Sequence, residues 1–270
     1  MEFDMIALIK VLGAIGGVGV FMGAGLAAAA QKFKVIIDPR IEEATEALPG
    51  INCGACGYAG CGSYAEAVVE NEEIPANLCT PGGEKVADKL AGITGKKAGT
   101  KERMVAILRC VQDQSKAAPM KYQYHGVESC ASEDTLHKGA YTCSFACMGL
   151  GDCVRICPVD AITMKKGRPV IDPDKCIACG LCVKTCPRDV LTLAPYPGRV
   201  QVYCRNTKPP KEKRKICPSV CIGCSICKRK CPHDAIEMKD FVAIIDHEKC
   251  PPDCPRPCVE KCPTGAILAR

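Results

Sequence analysis

The pattern of apolar and polar positions divides the chain into one long apolar segment and a remainder of short apolar runs between cysteines. Residues 11–30 contain no charged side chain, and the apolar run extends back to Ile6 with only Lys10 interrupting it. About 20 residues at helical rise span the hydrocarbon core of a bilayer. The segment therefore predicts a single transmembrane helix, with residues 6–30 in contact with the membrane.

The charges that flank this segment predict its orientation. A cleaved signal peptide is the alternative interpretation, but such a peptide begins with positive residues, whereas Glu2 and Asp4 precede this run. Lys32, Lys34 and Arg40 follow it, and positive residues favour the cytoplasmic side. We therefore expect a single-pass protein of the cell membrane (plasma or inner membrane), with the bulk of the chain in the cytoplasm, where thiols stay reduced.

The remainder combines a helical pattern with short strand patterns. The stretch "GSYAEAVVE" at residues 62–70 has helical spacing, which would turn Glu66 and Glu70 toward water. Further along, Cys-Pro and two more residues precede a short, β-prone apolar segment in four places, which predicts four small strands. These repeats occupy residues 157–164, 186–193, 231–238 and 262–269.

Cysteine dominates the candidate chemistry, with 24 among 270 residues. Disulfide frameworks of this density belong to secreted chains of under about 100 residues, so metal or cluster ligation is the expected role. The formal charge of +6 counts each cysteine as neutral, but ligating cysteines are thiolates, so the loaded protein would be far less basic. With no tryptophan and few aromatic residues, the chain is not expected to bind nucleic acid.

Two runs give the most specific signal, "CIACGLCVKTCP" at residues 176–187 and "CIGCSICKRKCP" at residues 221–232. Both follow Cys-x2-Cys-x2-Cys-x3-Cys-Pro, the ferredoxin-type run that binds a [4Fe–4S] cluster. Soft thiolates suit iron–sulfur clusters, and this close spacing lets one loop cover three irons. Zinc, the alternative, prefers two separated pairs of cysteines.

The fourth cysteine of each such run ligates the other cluster of a two-cluster module. This rule joins the run at 176–187 to a variant run, "TCSFACMGLGDCVRICP" at residues 142–158, and the run at 221–232 to a second variant run at residues 250–262. Enlarged spacings leave the ligand partition in the variant runs open. The predicted sets are Cys143, Cys147, Cys153 and Cys186; Cys157, Cys176, Cys179 and Cys182; Cys221, Cys224, Cys227 and Cys262; and Cys231, Cys250, Cys254 and Cys258.

The other eight cysteines form two groups. One group lies in and after "CGACGYAGC", where nearby glycines would let backbone amides approach cluster sulfurs; a zinc site is its alternative. The other group flanks the first double run and would form a further cluster, with buried free thiols as the alternative. The groups are Cys53, Cys56, Cys61 and Cys79, and Cys110, Cys130, Cys204 and Cys217.

One basic segment and the absence of catalytic motifs also bear on function. The basic segment "RNTKPPKEKRK" at residues 205–215 is interpreted as a solvated loop or as counter-charge for anionic clusters, with docking of an acidic electron carrier as the alternative. The sequence shows no nucleophile–base constellation, so no catalytic residue and no bond chemistry are expected in this chain.

These patterns together predict an α+β protein with five sections along the chain. A small four-cysteine [4Fe–4S] domain would follow the anchor, and two tandem ferredoxin-like double-cluster modules would follow a linker. The predicted sections are the anchor 1–31, the four-cysteine domain 32–91, the linker 92–108, the first module with extra cysteines 109–216 and the second module 217–270.

The order of glycine-rich N-terminal helix, "CGACGYAGC" with a later cysteine, and tandem ferredoxin runs resembles the B subunit of the Rnf complex over essentially the whole chain. That family is a membrane-bound ferredoxin:NAD oxidoreductase that couples electron flow to sodium or proton translocation. The resemblance implies an electron-relay subunit of a translocase that takes electrons from reduced soluble ferredoxin. Membrane subunits and NAD- and flavin-binding subunits of the complex would be its partners. The cysteine sets themselves predict five [4Fe–4S] clusters and a further one as its cofactors, and the second double module and the extra four cysteines depart from the simplest members of the family.

The sequence also fits two other functions. The chain is also compatible with a polyferredoxin of another membrane reductase, because ferredoxin runs occur in many proteins. A zinc-binding structural module is the second alternative. Iron and acid-labile sulfide would separate either cluster protein from the zinc module.

Overall fold

A computed structural model describes residues 5–32, 38–99, 102–110, 114–197 and 200–269. Its first element is helix α1 (Met5–Lys32), over the stretch for which the apolar pattern predicts a helix. Among the described residues, however, no helix is both long enough and apolar enough to cross a membrane. The predicted transmembrane span, which requires about 20 consecutive apolar residues, is therefore not supported. Glu2, Asp4 and Lys34, on which the predicted orientation rests, lie outside the described residues.

A small helical domain follows. Helices α2 (Pro39–Ala47) and α3 (Cys61–Glu70) pack against each other, and α4 (Gly83–Thr94) packs on α2. The predicted helix after "CGACGYAG" is confirmed as α3, and Glu66 and Glu70 on it are exposed, as its spacing predicts. Because apolar residues recur at helical intervals, α3 buries one face in the core of the domain.

The side chain of Tyr64 on α3 fixes the segment that leads to Cys79. Tyr64 is fully buried, and its hydroxyl donates to the carbonyl of Pro75 at 2.8 Å and accepts from the N–H of Leu78 at 3.3 Å. Burial raises the pKa of Tyr64 to about 12, so the hydroxyl remains a donor at neutral pH. One buried hydroxyl therefore satisfies two backbone groups next to a candidate ligand.

The first module consists of an outer strand pair and an inner hairpin. Strand β1 (Met104–Leu108) pairs antiparallel with β4 (Leu191–Pro195), and β2 (Ile162–Lys165) pairs antiparallel with β3 (Arg168–Ile171). Strand β1 lies inside the stretch predicted as a linker, 92–108. The linker prediction missed this strand because its partner, β4, lies at the far end of the module, and the local pattern around "MVAIL" gives no sign of so distant a pairing.

The second module repeats this arrangement. Strand β5 (Val200–Val202) pairs antiparallel with β8 (Ile267–Ala269), and β6 (Ile236–Lys239) pairs antiparallel with β7 (Val242–Ile245). The module therefore begins before residue 217, where the sequence placed its boundary. The four strands predicted after the Cys-Pro motifs are confirmed as β2, β4, β6 and β8.

Short helices connect the strands in both modules. They are α5 (Cys130–Thr135), α6 (Asp152–Arg155), α7 (Leu181–Thr185), α8 (Pro210–Ile216), α9 (Ile226–Lys230) and α10 (Pro257–Glu260), with a 3₁₀ turn at Gln114–Lys116. A residue with left-handed backbone precedes each of α6, α7, α9 and α10. Gly180 takes this conformation before α7 at φ 76°, where the absence of a Cβ removes the usual strain. Each of these four helices then places one cysteine toward the interior of its module.

Cysteine side chains form part of the core of each module. Leu108 and Leu191 pack with Cys147 in the first module, and Ile267 packs with Cys227 in the second. A further small core, in which Tyr141 and its neighbours pack against Ile216, lies where the two modules meet. The cysteines thus lie where purely apolar side chains would lie in a domain of this size.

We predict that Tyr64→Phe destabilises the helical domain by about 1–3 kcal/mol, because the carbonyl of Pro75 and the N–H of Leu78 would be buried without a partner. Thermal unfolding of the loaded protein would measure the change. Tyr58→Phe is the matched control: the Tyr58 ring lies 5.4 Å from the Tyr64 ring between centroids, and its side chain is only half-buried. Equal stability of both variants would contradict the role assigned to the Tyr64 hydroxyl.

Candidate iron–sulfur centres

The structure brings together the four cysteines of the helical domain. Cys61 is the first residue of α3, and its N–H donates to Oδ1 of Asn52 at 2.8 Å. Burial raises the pKa of the Cys79 thiol, and the neighbouring Cys61, Cys56 and Cys53 raise it further. These three cysteines and Cys79 are therefore close enough for their charges to interact, as the sequence predicts.

A second quartet, in the first module, lines one small cavity, and its members are Cys157, Cys176, Cys179 and Cys182. Burial, together with the charges of the other three cysteines, raises the pKa of Cys182 to about 12. Two backbone N–H groups point at these sulfurs, from Ala161 to Cys157 Sγ at 3.3 Å and from Ala106 to Cys176 Sγ at 3.4 Å. Such N–H contacts stabilise a sulfur ligand in its anionic form.

The second module contains both predicted quartets. Cys221, Cys224, Cys227 and Cys262 line one small cavity. Burial, together with the charges of Cys231, Cys250 and Cys254, raises the pKa of Cys258 to about 11. Helices α9 and α10, which hold Cys227 and Cys258, contact each other. The two quartets are therefore neighbours within one module.

The remaining eight cysteines are grouped differently from the sequence prediction. Cys130 replaces Cys143 in the first-module quartet, where it lines one cavity with Cys147, Cys153 and Cys186. Cys143 replaces Cys130 in the other quartet, where it lines a second cavity with Cys110, Cys204 and Cys217. The exchange corrects two of the predicted sets and leaves the same 24 cysteines in use.

Local contacts explain why these two cysteines exchange places. Ser129 Oγ donates to Asp152 Oδ2 at 3.1 Å, which ties the start of α5 to the start of α6 and so brings Cys130 toward Cys153. Cys143 instead packs in the small core against Ile216, and Asn206 Nδ2 contacts its Sγ at 3.5 Å. Neither contact can be inferred from the spacing of cysteines along the chain, so a rule based on spacing misplaces both Cys130 and Cys143.

We number the six quartets by their positions in space. The charges of Cys53 in the first set and Cys179 in the second interact. At the same place Lys184 Nζ donates to the carbonyl of Cys53 at 3.0 Å. Cys182 interacts with Cys153, Cys153 with Cys147, and Cys147 with Cys110; Cys204 interacts with Cys221. The first set is Cys53, Cys56, Cys61 and Cys79; the second Cys157, Cys176, Cys179 and Cys182; the third Cys130, Cys147, Cys153 and Cys186; the fourth Cys110, Cys143, Cys204 and Cys217; the fifth Cys221, Cys224, Cys227 and Cys262; the sixth Cys231, Cys250, Cys254 and Cys258.

The geometry of the quartets fits a cluster better than a single ion. A zinc ion draws its sulfurs to about 2.3 Å from one point, whereas the four cysteines of each of these four sets lie around the wall of a shared cavity. In the part of the chain that the structure describes, no three Cys, His, Asp or Glu side chains are placed to hold one metal ion. A [4Fe–4S] core, which offers a separate iron to each thiolate, suits quartets of this form.

Two fully buried cations lie beside the fourth set. Arg168, the first residue of β3, and Lys213, in α8, are both 0 % exposed. The basic segment at 205–215 is therefore not simply a solvated loop, although Lys211, Arg214 and Lys215 on it are exposed. Sequence reasoning missed both residues, because a lysine and an arginine are seldom fully buried.

Three family models match the chain. A family described as "Putative Fe-S cluster" matches residues 48–81, which contain the first set. Two families described as "4Fe-4S dicluster domain" match residues 142–190 and residues 175–235. The matches cover the first set and the runs at residues 142–158, 176–187 and 221–232.

Curated relatives resemble the chain over nearly its whole length. It is 41% identical over 98% of its residues to the B subunit of the proton-translocating ferredoxin:NAD(+) oxidoreductase complex of Clostridium ljungdahlii, covering 93% of that protein. It is 38% identical to the B subunit of the ion-translocating oxidoreductase complex of Methanosarcina acetivorans, covering 97% of this chain and 98% of the relative. The B subunit of the Na(+)-translocating ferredoxin:NAD(+) oxidoreductase complex of Acetobacterium woodii is 38% identical, with 97% of this chain and 78% of the relative covered. The chain therefore belongs to the family of B subunits of the Rnf ion-translocating ferredoxin:NAD oxidoreductase complexes.

Proposed function

We propose that this chain is a one-electron relay in which each of the six cysteine sets holds one [4Fe–4S] cluster. At the coarser level, the chain is an iron–sulfur electron-transfer subunit of a ferredoxin:NAD oxidoreductase complex, on the strength of its family and its dicluster domains. The observation that supports the finer proposal is the series of quartets: the first five sets interact in order through named cysteines, and the fifth and sixth are neighbours through the contact of α9 with α10.

The residues of the chain supply ligands, spacing and insulation. A [4Fe–4S] cluster accepts and releases one electron at a time, at a potential set by charge, hydrogen bonds to sulfur and solvent exposure. Burial of Cys147, Cys182 and Cys204 removes water from the ligand sulfurs. The N–H groups of Ala106 and Ala161 supply hydrogen bonds to sulfur in the second set. The chain thus adjusts the potential of a centre without itself forming or breaking a bond.

The names of the relatives, which combine ferredoxin, NAD(+) and ion translocation, support a proposal for the roles of the partners. We propose that reduced soluble ferredoxin donates electrons to this subunit and that other Rnf subunits accept them. Flavin chemistry, NAD reduction and movement of sodium ions or protons are assigned to those partners. An ion-translocating complex works across a membrane, so we place this subunit at the cell membrane, with its cysteine sets on the side where thiols stay reduced.

Metal content is the first test of this proposal. Anaerobically purified protein is expected to contain four iron atoms and four acid-labile sulfides for each cysteine set, with EPR signals of [4Fe–4S] centres after reduction. Iron and sulfide assays with EPR would measure this. Zinc without sulfide would overturn the relay and leave a structural metal-binding module.

The exchange of Cys130 and Cys143 makes a distinct prediction for pairs of variants. Cys130→Ala with Cys153→Ala changes only the third set, so the protein should lose about four irons. Cys130→Ala with Cys110→Ala changes the third and fourth sets, so it should lose about eight. The partition derived from spacing gives the opposite result for each pair, and iron analysis of the two double variants beside the three single variants distinguishes them.

A relay through one series of centres also predicts the effect of removing an internal centre. Cys182→Ala in the second set is expected to abolish ferredoxin-dependent NAD reduction in native membranes that contain the complete complex, because the series is interrupted. Glu66→Gln, on the exposed face of α3, serves as the control and is expected to retain activity. Full activity in Cys182→Ala protein that has lost the iron of one cluster would contradict the single series.

A further inference from the structure

The two buried cations beside the fourth set lie at its two boundaries. Arg168 Nη1 donates to the carbonyl of Cys147, a residue of the third set. Its charge also acts on Cys110 and Cys217, which belong to the fourth set. The guanidinium carbon lies 5.0 Å from the ring centroid of Tyr141, which packs beside Cys143. Arg168 therefore lies between the third and fourth sets.

Lys213 occupies the corresponding place between the fourth and fifth sets. Its Nζ donates to the carbonyl of Phe241 at 2.7 Å and to the carbonyl of Asn206 at 3.1 Å. The charge of Lys213 acts on Cys204 of the fourth set and on Cys221 of the fifth. Asn206 is itself 1% exposed, and its Nδ2 contacts Cys143 Sγ. Lys213 thus reaches the fourth set both by charge and through Asn206.

Neither cation is neutralised by a carboxylate of the described residues. In that part of the chain, no Asp or Glu forms an ion pair with Arg168 or Lys213. The Nε and Nη2 atoms of Arg168 are buried and have no hydrogen-bond partner among the described residues. A buried cation without a counter-charge is strongly destabilising. The thiolates that act most strongly on Arg168 are Cys110 of the fourth set and then Cys147 of the third, and those that act on Lys213 are Cys221 of the fifth set and then Cys204 of the fourth.

We propose that Arg168 and Lys213 are positioning residues that raise the reduction potential of the cluster in the fourth set. One-electron reduction adds a negative charge to a cluster whose thiolates already make it anionic, and a buried cation stabilises the added charge through a low-dielectric interior. Both cations act on the fourth set, whereas only Arg168 acts on the third and only Lys213 on the fifth. Each transfer oxidises one centre and reduces its neighbour by one electron, and the cations donate neither electrons nor protons.

The fourth set takes its cysteines from both modules. Cys110 follows β1 and Cys143 lies between α5 and α6, both in the first module, whereas Cys204 follows β5 and Cys217 follows α8, both in the second. An electron that moves between modules passes this position. A raised reduction potential of the fourth set favours electron transfer onto it from the third set and from the fifth set. The inference rests on the proposed function, because it requires a cluster in the fourth set.

Redox titration followed by EPR tests the proposal in the full-length protein. The signal of the fourth set is identified as the one lost in Cys110→Ala. In Arg168→Met and in Lys213→Met, which remove charge but keep an unbranched side chain, the equilibrium constant for adding one electron should fall about tenfold, a negative shift of about 59 mV. The signal of the third set should shift with Arg168→Met only, and that of the fifth set with Lys213→Met only.

Conservative variants and a remote lysine separate charge from packing. Arg168→Lys and Lys213→Arg keep the positive charge, so the reduction potential of the fourth set should stay close to that of the wild type. A purely structural role would not predict that the potential follows the charge. Lys96 is the matched control, because its Nζ also binds backbone carbonyls, those of Val68, Asn71 and Ile74 at 2.5–2.8 Å, but in the helical domain. Lys96→Met should leave the potential of the fourth set unchanged.

The outcomes distinguish failure of this inference from failure of the relay. If Arg168→Met and Lys213→Met keep the signal at the wild-type potential, the inference is wrong and the relay stands. If wild-type protein gives no signal that Cys110→Ala removes, the fourth set holds no cluster and both proposals fail at that site. Should Arg168→Met fail to assemble the cluster, Lys213→Met and Arg168→Lys still report the potential, and an unchanged value in Lys213→Met overturns the inference.

Discussion

Burial of cysteine sulfur is the constraint on which the structure depends. In the first module, burial raises the pKa of Cys147, Cys153 and Cys182 to about 12, so at neutral pH these thiols stay protonated unless a metal displaces the proton. The free energy that cluster binding supplies is then free energy of folding, because the same side chains form the core. Without iron, the folded chain favours neutral thiols. Their contribution to the free energy of unfolding is lost as the pH rises from the ordinary pKa of a thiol toward 12.

The same constraint explains the repeated local architecture. Each module closes its first strand on its last strand around an inner hairpin, and short helices enter the space between. A left-handed residue before α6, α7, α9 and α10 turns the chain sharply, so that a cysteine on each helix points inward. Gly180 serves this purpose in the first module, while Ser225 and Arg256 take the same conformation in the second. Repetition of the backbone conformation thus matters more than repetition of the residue.

The sequence predicts local features well and long-range features poorly. Helix α3 and the strands after each Cys-Pro motif follow from short patterns and are confirmed. Strands β1 and β5 were not foreseen, since each pairs with a strand at the far end of its module. Motif spacing also assigns the standard quartets but exchanges Cys130 with Cys143, whose positions depend on Asp152 and Asn206. Lys213 lies in a stretch that has the pattern of a solvated basic run, and only the packing of α8 shows that one of its lysines is buried.

The composition of the fourth set has a consequence for biosynthesis. The first three sets are complete once residue 186 has been made, whereas the fourth needs Cys204 and Cys217 from further along the chain. Strand β5 gains its partner only when β8 has been made, at the C-terminal end of the described residues. As the chain leaves the ribosome, the four cysteines proposed to hold the centre between the modules are therefore complete only after those of the first three sets.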